Sequence, residues 1–193
     1  MNIKGITNIK FFAKGKRGYV YTGKIKNTNI AIKKKNPKSK AKNRIKNEII
    51  FLKILNLYNI GPKLLKNTNS YFVYEFQEGI YFKDVLKENN QIKTNNILKK
   101  LFKQAFVLDK LGINKEEFHR PLKNVVVKKY NIPVLIDFER CHYSDSLKNV
   151  TQLVQFMMNR KLVKRTPSLI RLLKKYKCCI SKETFNNLLI KIF

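Results

Sequence analysis

Acidic residues are scarce in this chain: Asp and Glu number 12 among 193 residues, against 42 Lys and Arg, which gives a formal net charge of +30 at pH 7. So positive a potential favours acidic partners such as nucleic acid, nucleotides or anionic proteins. Lys, Asn and Ile are all abundant, but that bias does not by itself explain the shortage of glutamate. Cysteine is also sparse. Cys141, Cys178 and Cys179 are odd in number and two are adjacent, which argues against a disulfide framework. With no CxxC pair and only 2 histidines, a zinc site has few ligands to draw on. No apolar run approaches the roughly 18 residues that a membrane span needs. The start, Met1-Asn2-Ile3-Lys4-Gly5, lacks the apolar stretch of a signal peptide. A cytoplasmic location without membrane association is therefore expected. What is present suffices for a core: 44% hydrophobic content, without an internal repeat, supports one compact domain or two small lobes.

The patterning changes once along the chain. Ile9 to Phe12, Tyr19 to Lys24 and Asn29 to Lys33 read as an antiparallel meander separated by glycine and asparagine turns. Ser39 to Asn56 is helical in pattern, with Ile45, Glu48, Leu52 and Leu55 on one face. Gly61-Pro62 stops that helix, and Lys63 to Leu65 and Tyr71 to Phe76 read as two further strands. Helical pattern then dominates: Tyr81 to Glu88, Lys93 to Leu111, and about 148–160, 167–177 and 182–192, interrupted by strands at Val125 to Val127 and Pro133 to Ile136. Thr166-Pro167 supplies an N-cap with an N1 proline, and Ser181 another N-cap. The expected fold is α+β in a single domain, residues 1–193. Its N-terminal lobe, about 1–76, holds five strands and one helix; a hinge at about 77–80 leads to a mostly helical lobe at about 81–193.

Several residues carry chemistry. Gly15 and Gly18 flank a hairpin tip whose backbone N–H groups suit phosphates, with Val20 covering an adenine face. Ile30 and Ile32 alternate with Ala31 and Lys33, which puts the lysine on the face opposite the isoleucines. Glu48, an anion in an apolar helical stripe, is costly to bury without a cation. A Lys33–Glu48 ion pair resolves this and aims an ammonium at nucleotide phosphates. Glu75 to Gly79 ends an apolar strand in a polar linker, and the backbone at Glu75 and Gln77 suits an adenine edge. Asn124 and Asp137 bracket a hairpin and offer the oxygen ligands that Mg2+ takes.

In that order these segments resemble a protein kinase, specifically the small atypical serine/threonine kinases of the RIO and archaeal minimal-kinase kind. The resemblance covers about residues 9–150: the glycine-rich loop at Ala13 to Val20, strand Lys33, helix Glu48, the hinge at Glu75 to Gly79, Asn124 at the end of the catalytic loop, and the metal aspartate Asp137. Gly61-Pro62-Lys63-Leu64 resembles a strand entry common in the small kinases. It implies a two-lobed kinase-like fold, ATP and Mg2+ as cofactors, and a serine or threonine acceptor. The chain departs from that pattern at Ala13, at Glu139 in place of the glycine that closes the metal motif, and at the catalytic aspartate. Read from Gly112-Ile113, that aspartate's place falls on Glu117; read back from Asn124, it falls on His119. Glu117 is the preferred base, since a carboxylate accepts a hydroxyl proton. His119 is its rival, and a third alternative is nucleotide binding without efficient transfer. About a dozen residues separate Asp137 from the next helix and no Ala-Pro-Glu follows, so the usual peptide platform is missing. The basic stretches Lys33 to Lys46 and Arg160 to Lys177 suit an acidic protein substrate or RNA phosphates. The competing expectation is therefore a degenerate kinase scaffold serving as a nucleotide-binding RNA or ribonucleoprotein module.

Overall fold

The computed structural model describes residues 2–15, 18–39 and 43–193. Lys16 and Arg17 of the glycine-bearing hairpin, and residues 40–42 of the basic stretch, lie outside the described residues. The fold is α+β, and the chain divides into two units: residues 1–78 with 134–140, and residues 79–133 with 141–193.

The first unit is built on a five-stranded antiparallel sheet. Its strands are β1 (Thr7–Lys14), β2 (Gly18–Ile25), β3 (Thr28–Lys35), β4 (Leu64–Asn67) and β5 (Tyr71–Glu75), in the order β1-β2-β3-β5-β4. The two-residue alternation in β3 buries Ile30 and Ile32 on one face, where Val73 joins them and Ile3 and Ile6 cover them. Helix α1 (Arg44–Asn56) buries Ile45, Glu48, Leu52 and Leu55, the stripe expected of it. It begins later than Ser39, because Asn43, at φ 58°, is left-handed and breaks helical continuity.

The second unit opens on β6 (Ile80–Tyr81), continues through α2 (Phe82–Val85), α3 (Gln91–Lys110), β7 (Ile113–Asn114) and β8 (Val125–Lys128), and reaches β9 (Ile132–Leu135), whose last residues enter the first unit. After β10 (His142–Tyr143) come α4 (Asn149–Asn159), α5 (Pro167–Cys178) and α6 (Lys182–Ile192). Ile97, Leu101, Ala105 and Leu108 of α3 are fully buried, and Phe106 stacks on Phe185 of α6 with centroids 4.3 Å apart. The caps follow local chemistry: the Thr166 hydroxyl accepts from the Leu169 N–H, and Ser181 and Thr184 form a capping box. Three strands of two residues, β6, β7 and β10, were not anticipated. None of the three cysteines is in a disulfide. No helix among the described residues is long and apolar enough to cross a membrane.

Gly79 shows how tightly β6 meets β8. A Cβ there would sit 2.3 Å from the Val127 carbonyl oxygen and 2.9 Å from Val126 Cγ1. Backbone cannot yield as a flexible side chain does, so Gly79→Ala is expected to destabilise by about 1–3 kcal/mol, measured as a lowered urea midpoint at unchanged m.

Candidate active site

In the first unit, the alternation that buries Ile30 and Ile32 sends Lys33 to the other side of β3, where α1 presents Glu48. Lys33 Nζ lies 2.6 Å from Glu48 Oε2, 3.2 Å from Asp137 Oδ1 and 3.9 Å from Glu139 Oε2. One oxygen from each of Glu48, Asp137 and Glu139 falls within 4.8 Å of the others. Burial works against the Lys33 ammonium, but the charges of Glu48 and Asp137 overcome it and hold the group well above the ordinary lysine range. Glu48 is pushed up to about 6 by burial, against the pull of Lys33 and with the repulsion of Asp137 and Glu139. Glu48, Asp137 and Glu139 thus all face the Lys33 ammonium.

The loop that delivers Asp137 and Glu139 is fixed from several sides. Gly61, at φ +81°, leaves room for the Phe138 ring: a Cβ there would lie 2.8 Å from Phe138 Cε2 and 2.9 Å from Leu52 Cδ1. The Phe138 N–H donates to Glu48 Oε1 at 3.4 Å. The Glu139 carbonyl accepts from Arg44 Nη1 at 3.2 Å and Asn47 Nδ2 at 3.0 Å, both on α1. Asp137 itself takes a left-handed backbone, φ 64°.

The other expected nucleotide-side residues are close in register. Val20 on β2 pairs with Lys33, and Ala31 pairs with Thr22 and Tyr74. Gly18 is buried, and a Cβ there would crowd the Lys34 carbonyl oxygen at 3.1 Å while making ordinary contact with Lys33 Cε and Cγ at 3.5 Å. Gly15 is exposed and donates to the Gly18 carbonyl at 2.8 Å. At the strand end, the Glu75 carbonyl accepts from Gln77 Nε2 at 2.7 Å. A base edge reaching that carbonyl must displace the Gln77 amide.

The second unit holds the remaining candidates. Glu117 and His119 lie on a single 3-10 turn, Glu116–His119. Glu117 is half-buried, and its Oε2 lies 3.1 Å from Lys115 Nζ, a lysine that is itself buried. His119 is exposed, with Nδ1 2.6 Å from the Glu116 carbonyl; a proton on Nδ1 satisfies that contact and leaves Nε2 as an acceptor. Asn124 is half-buried immediately before β8.

Two residues were missed. Glu139 reads in sequence only as a substitution in the metal motif, yet its carboxylate joins the Lys33 cluster; the available signal was its spacing of two from Asp137 in a chain poor in acids. Asp109, at the end of α3, accepts from the Asn149 N–H and Nδ2, the Val150 N–H and the Tyr176 hydroxyl. Asn149 Oδ1 in turn accepts from the Lys115 N–H at 2.8 Å, so this buried carboxylate sets the start of the segment that carries Glu117 and His119. No protein-family model matches the chain, and no curated protein matches it.

Proposed function

We propose that this chain is a cytoplasmic ATP- and magnesium-dependent phosphotransferase of the two-lobed, kinase-like type, acting on a serine or threonine hydroxyl of a protein. The observation that carries the reading is the Lys33 ammonium held 2.6 Å from Glu48 and 3.2 Å from Asp137 on the face of β3 opposite the buried isoleucines. In this reading Lys33 orients the nucleotide phosphates, Glu48 fixes Lys33, and Gly15, Gly18, Val20 and Ala31 border the nucleotide. Glu75 and Gln77 offer backbone groups to the base. The donor set fits Mg2+: carboxylate oxygens are hard ligands, and one from each of Glu48, Asp137 and Glu139 lies within 4.8 Å of the others. Asp137 would hold the ion, which when bound neutralises charge on the transferring phosphoryl group, and the kinase resemblance gives Asn124 the part of a further ligand. Glu117 or His119 Nε2 accepts the proton of the acceptor hydroxyl.

Transfer of labelled phosphate from ATP to proteins of a cell extract tests this directly. Asp137→Asn is expected to abolish labelling, and replacement of the true base, Glu117→Gln or His119→Gln, to slow it by roughly 10²-fold or more. Full labelling by Asp137→Asn would refute the reading, and full rates in both base variants would remove the base assignment.

One observation favours a second reading, a degenerate scaffold that binds nucleotide and serves as an RNA or ribonucleoprotein module. The Glu117 carboxylate is already engaged by Lys115. Under that reading ATP with magnesium raises the melting temperature, Asp137→Ala cancels the rise, and no phosphate is transferred.

A further inference from the structure

The face of the sheet opposite Lys33 is apolar over one half and open over the other. At one end, Ile3 and Ile6 cover Ile30, Ile32 and Val73, and Gly23 is so close that a Cβ there would meet Ile6 Cγ2 at 3.0 Å. At the other end the cross-strand register lines up basic and aromatic residues. Lys14 pairs with Tyr19, Tyr19 with Lys34, and Lys34 with Tyr71, so a row across β1, β2, β3 and β5 reads Lys-Tyr-Lys-Tyr. Register partners point to the same side of a sheet. The next row places Phe11 opposite Tyr21, their rings edge-to-face at 5.8 Å. Lys14 Nζ stands 5.9 Å from the centre of the Tyr19 ring. Phe11 is 60% exposed, Lys14 and Lys34 are exposed, and Tyr19, Tyr21 and Tyr71 are half-buried.

The strands that carry most of the open half, β1 to β3, hold no acid, and Glu75 of β5, which shares this face, stands at the covered end opposite Ile30. Residues 1–47 contain no Asp or Glu, and the first acid of the chain, Glu48, is buried against Lys33. We propose that the open half of this face, built on Phe11, Lys14, Tyr19, Tyr21, Lys34 and Tyr71, binds single-stranded nucleic acid, with bases stacking on the rings and phosphates meeting the ammonium groups. Tyr19 and Tyr71 lie on strands two positions apart, about 10 Å at ordinary strand spacing, so a strand crossing the sheet meets alternate ring and charge. Charge alone would also suit an acidic protein, but such a partner has no use for aromatic rings beside the lysines, with Phe11 exposed, Tyr19 partly so, and Tyr21 and Tyr71 packed in part against the Ile3 and Ile6 cluster. The face stands apart from the nucleotide chemistry, since Lys34 and Ile32 point away from the side that Lys33 and Ala31 occupy.

Fluorescence anisotropy with a labelled single strand of about twelve nucleotides, as RNA and as DNA, tests this across roughly 50–200 mM salt. Binding is expected without nucleotide or magnesium, with log K falling linearly in log salt. Phe11→Ser and Tyr19→Ser are each expected to weaken it by about fivefold or more, and Lys34→Gln to reduce the salt slope by about 0.7. Phe11→Ser leaves any ATP-dependent thermal shift intact, so the failure of either reading is visible separately. A preference for RNA or for DNA assigns the source, and either supports the face. Lys177→Gln, an equal charge loss in the second unit, is the control. If it matches Lys34→Gln while Phe11→Ser and Tyr19→Ser bind as the parent does, the attraction is diffuse and the proposal fails. It fails equally if polyglutamate of matched charge displaces the oligonucleotide one for one and the aromatic variants compete unchanged.

Discussion

Asp109→Ala is expected to cost about 3–5 kcal/mol, enough to leave the second unit marginal. The carboxylate is 2% exposed and accepts four hydrogen bonds, from the Asn149 N–H and Nδ2, the Val150 N–H and the Tyr176 hydroxyl. Two of those donors are backbone N–H groups in the first turn of α4, a helix whose own N-cap residue, Lys148, makes no side-chain cap. Asp109 therefore caps α4 from α3 while α5 reaches it through Tyr176. Alanine leaves the Val150 and Asn149 amides and the Tyr176 hydroxyl buried without this acceptor, and each such loss costs about 1–3 kcal/mol. Asn149 Nδ2 keeps its second bond, to the Ile113 carbonyl at 2.6 Å, which limits the damage.

Controls separate the contributions. Tyr176→Phe removes one donor without orphaning the carboxylate, so about 1 kcal/mol is expected. Burial raises the Asp109 pKa above its ordinary 3.8, against the hydrogen bonds that favour the charge. A raised carboxyl contributes stability below its unfolded value and loses it as pH rises through the folded one. The deficit of Asp109→Ala should therefore be no smaller at pH 4 than at pH 7. Chemical denaturation followed by circular dichroism measures all of this. Because the Lys115 N–H rests on Asn149, amide exchange across residues 113–119 should also accelerate. A loss under about 1 kcal/mol would sink the argument that Asp109 organises this unit.

The contrast between Lys33 and Asp109 shows which parts of the site were legible in the sequence. Lys33 and Glu48 were readable because strand alternation and helical spacing are local rules: one face of β3 is apolar, and one face of α1 carries an acid among hydrophobics. The caps at Thr166 and Ser181 were readable for the same reason. Asp109 was not, since its partners Asn149 and Tyr176 stand 40 and 67 residues away and no periodicity links them. Two-residue strands such as β7 are too short to alternate. Glu139 stayed hidden because a motif position told only which residue was missing there, while its place beside Lys33 depends on Arg44 and Asn47 holding its carbonyl.

Lys33→Met is the variant in which stability and chemistry are expected to fail together. It removes the ammonium 2.6 Å from Glu48 and leaves that buried carboxylate without this cation, which typically costs about 3–5 kcal/mol. The cost depends on pH with a definite sign. Glu48 stands at about 6 in the folded chain against an ordinary 4.5, so its contribution is fully present below 4.5 and is lost as pH rises through 6. That shift corresponds to about 2 kcal/mol at neutral pH. Lys33 is among the forces pulling Glu48 down, and its removal lets burial and the neighbouring charges of Asp137 and Glu139 raise the carboxyl further. The variant therefore keeps its proton to higher pH, and its deficit against the parent should be modest at pH 5 and grow through pH 8. Lys33→Met/Glu48→Gln separates the two losses: with the buried charge gone, more than half of the stability should return, while on the proposed function the response to ATP with magnesium stays absent, because the ammonium proposed to orient the phosphates is missing. Thermal melts of the parent and both variants from pH 5 to 8, with and without ATP and magnesium, measure this. A deficit that stays flat with pH, or a double variant no more stable than Lys33→Met, would show that Glu48 is not the group that Lys33 compensates.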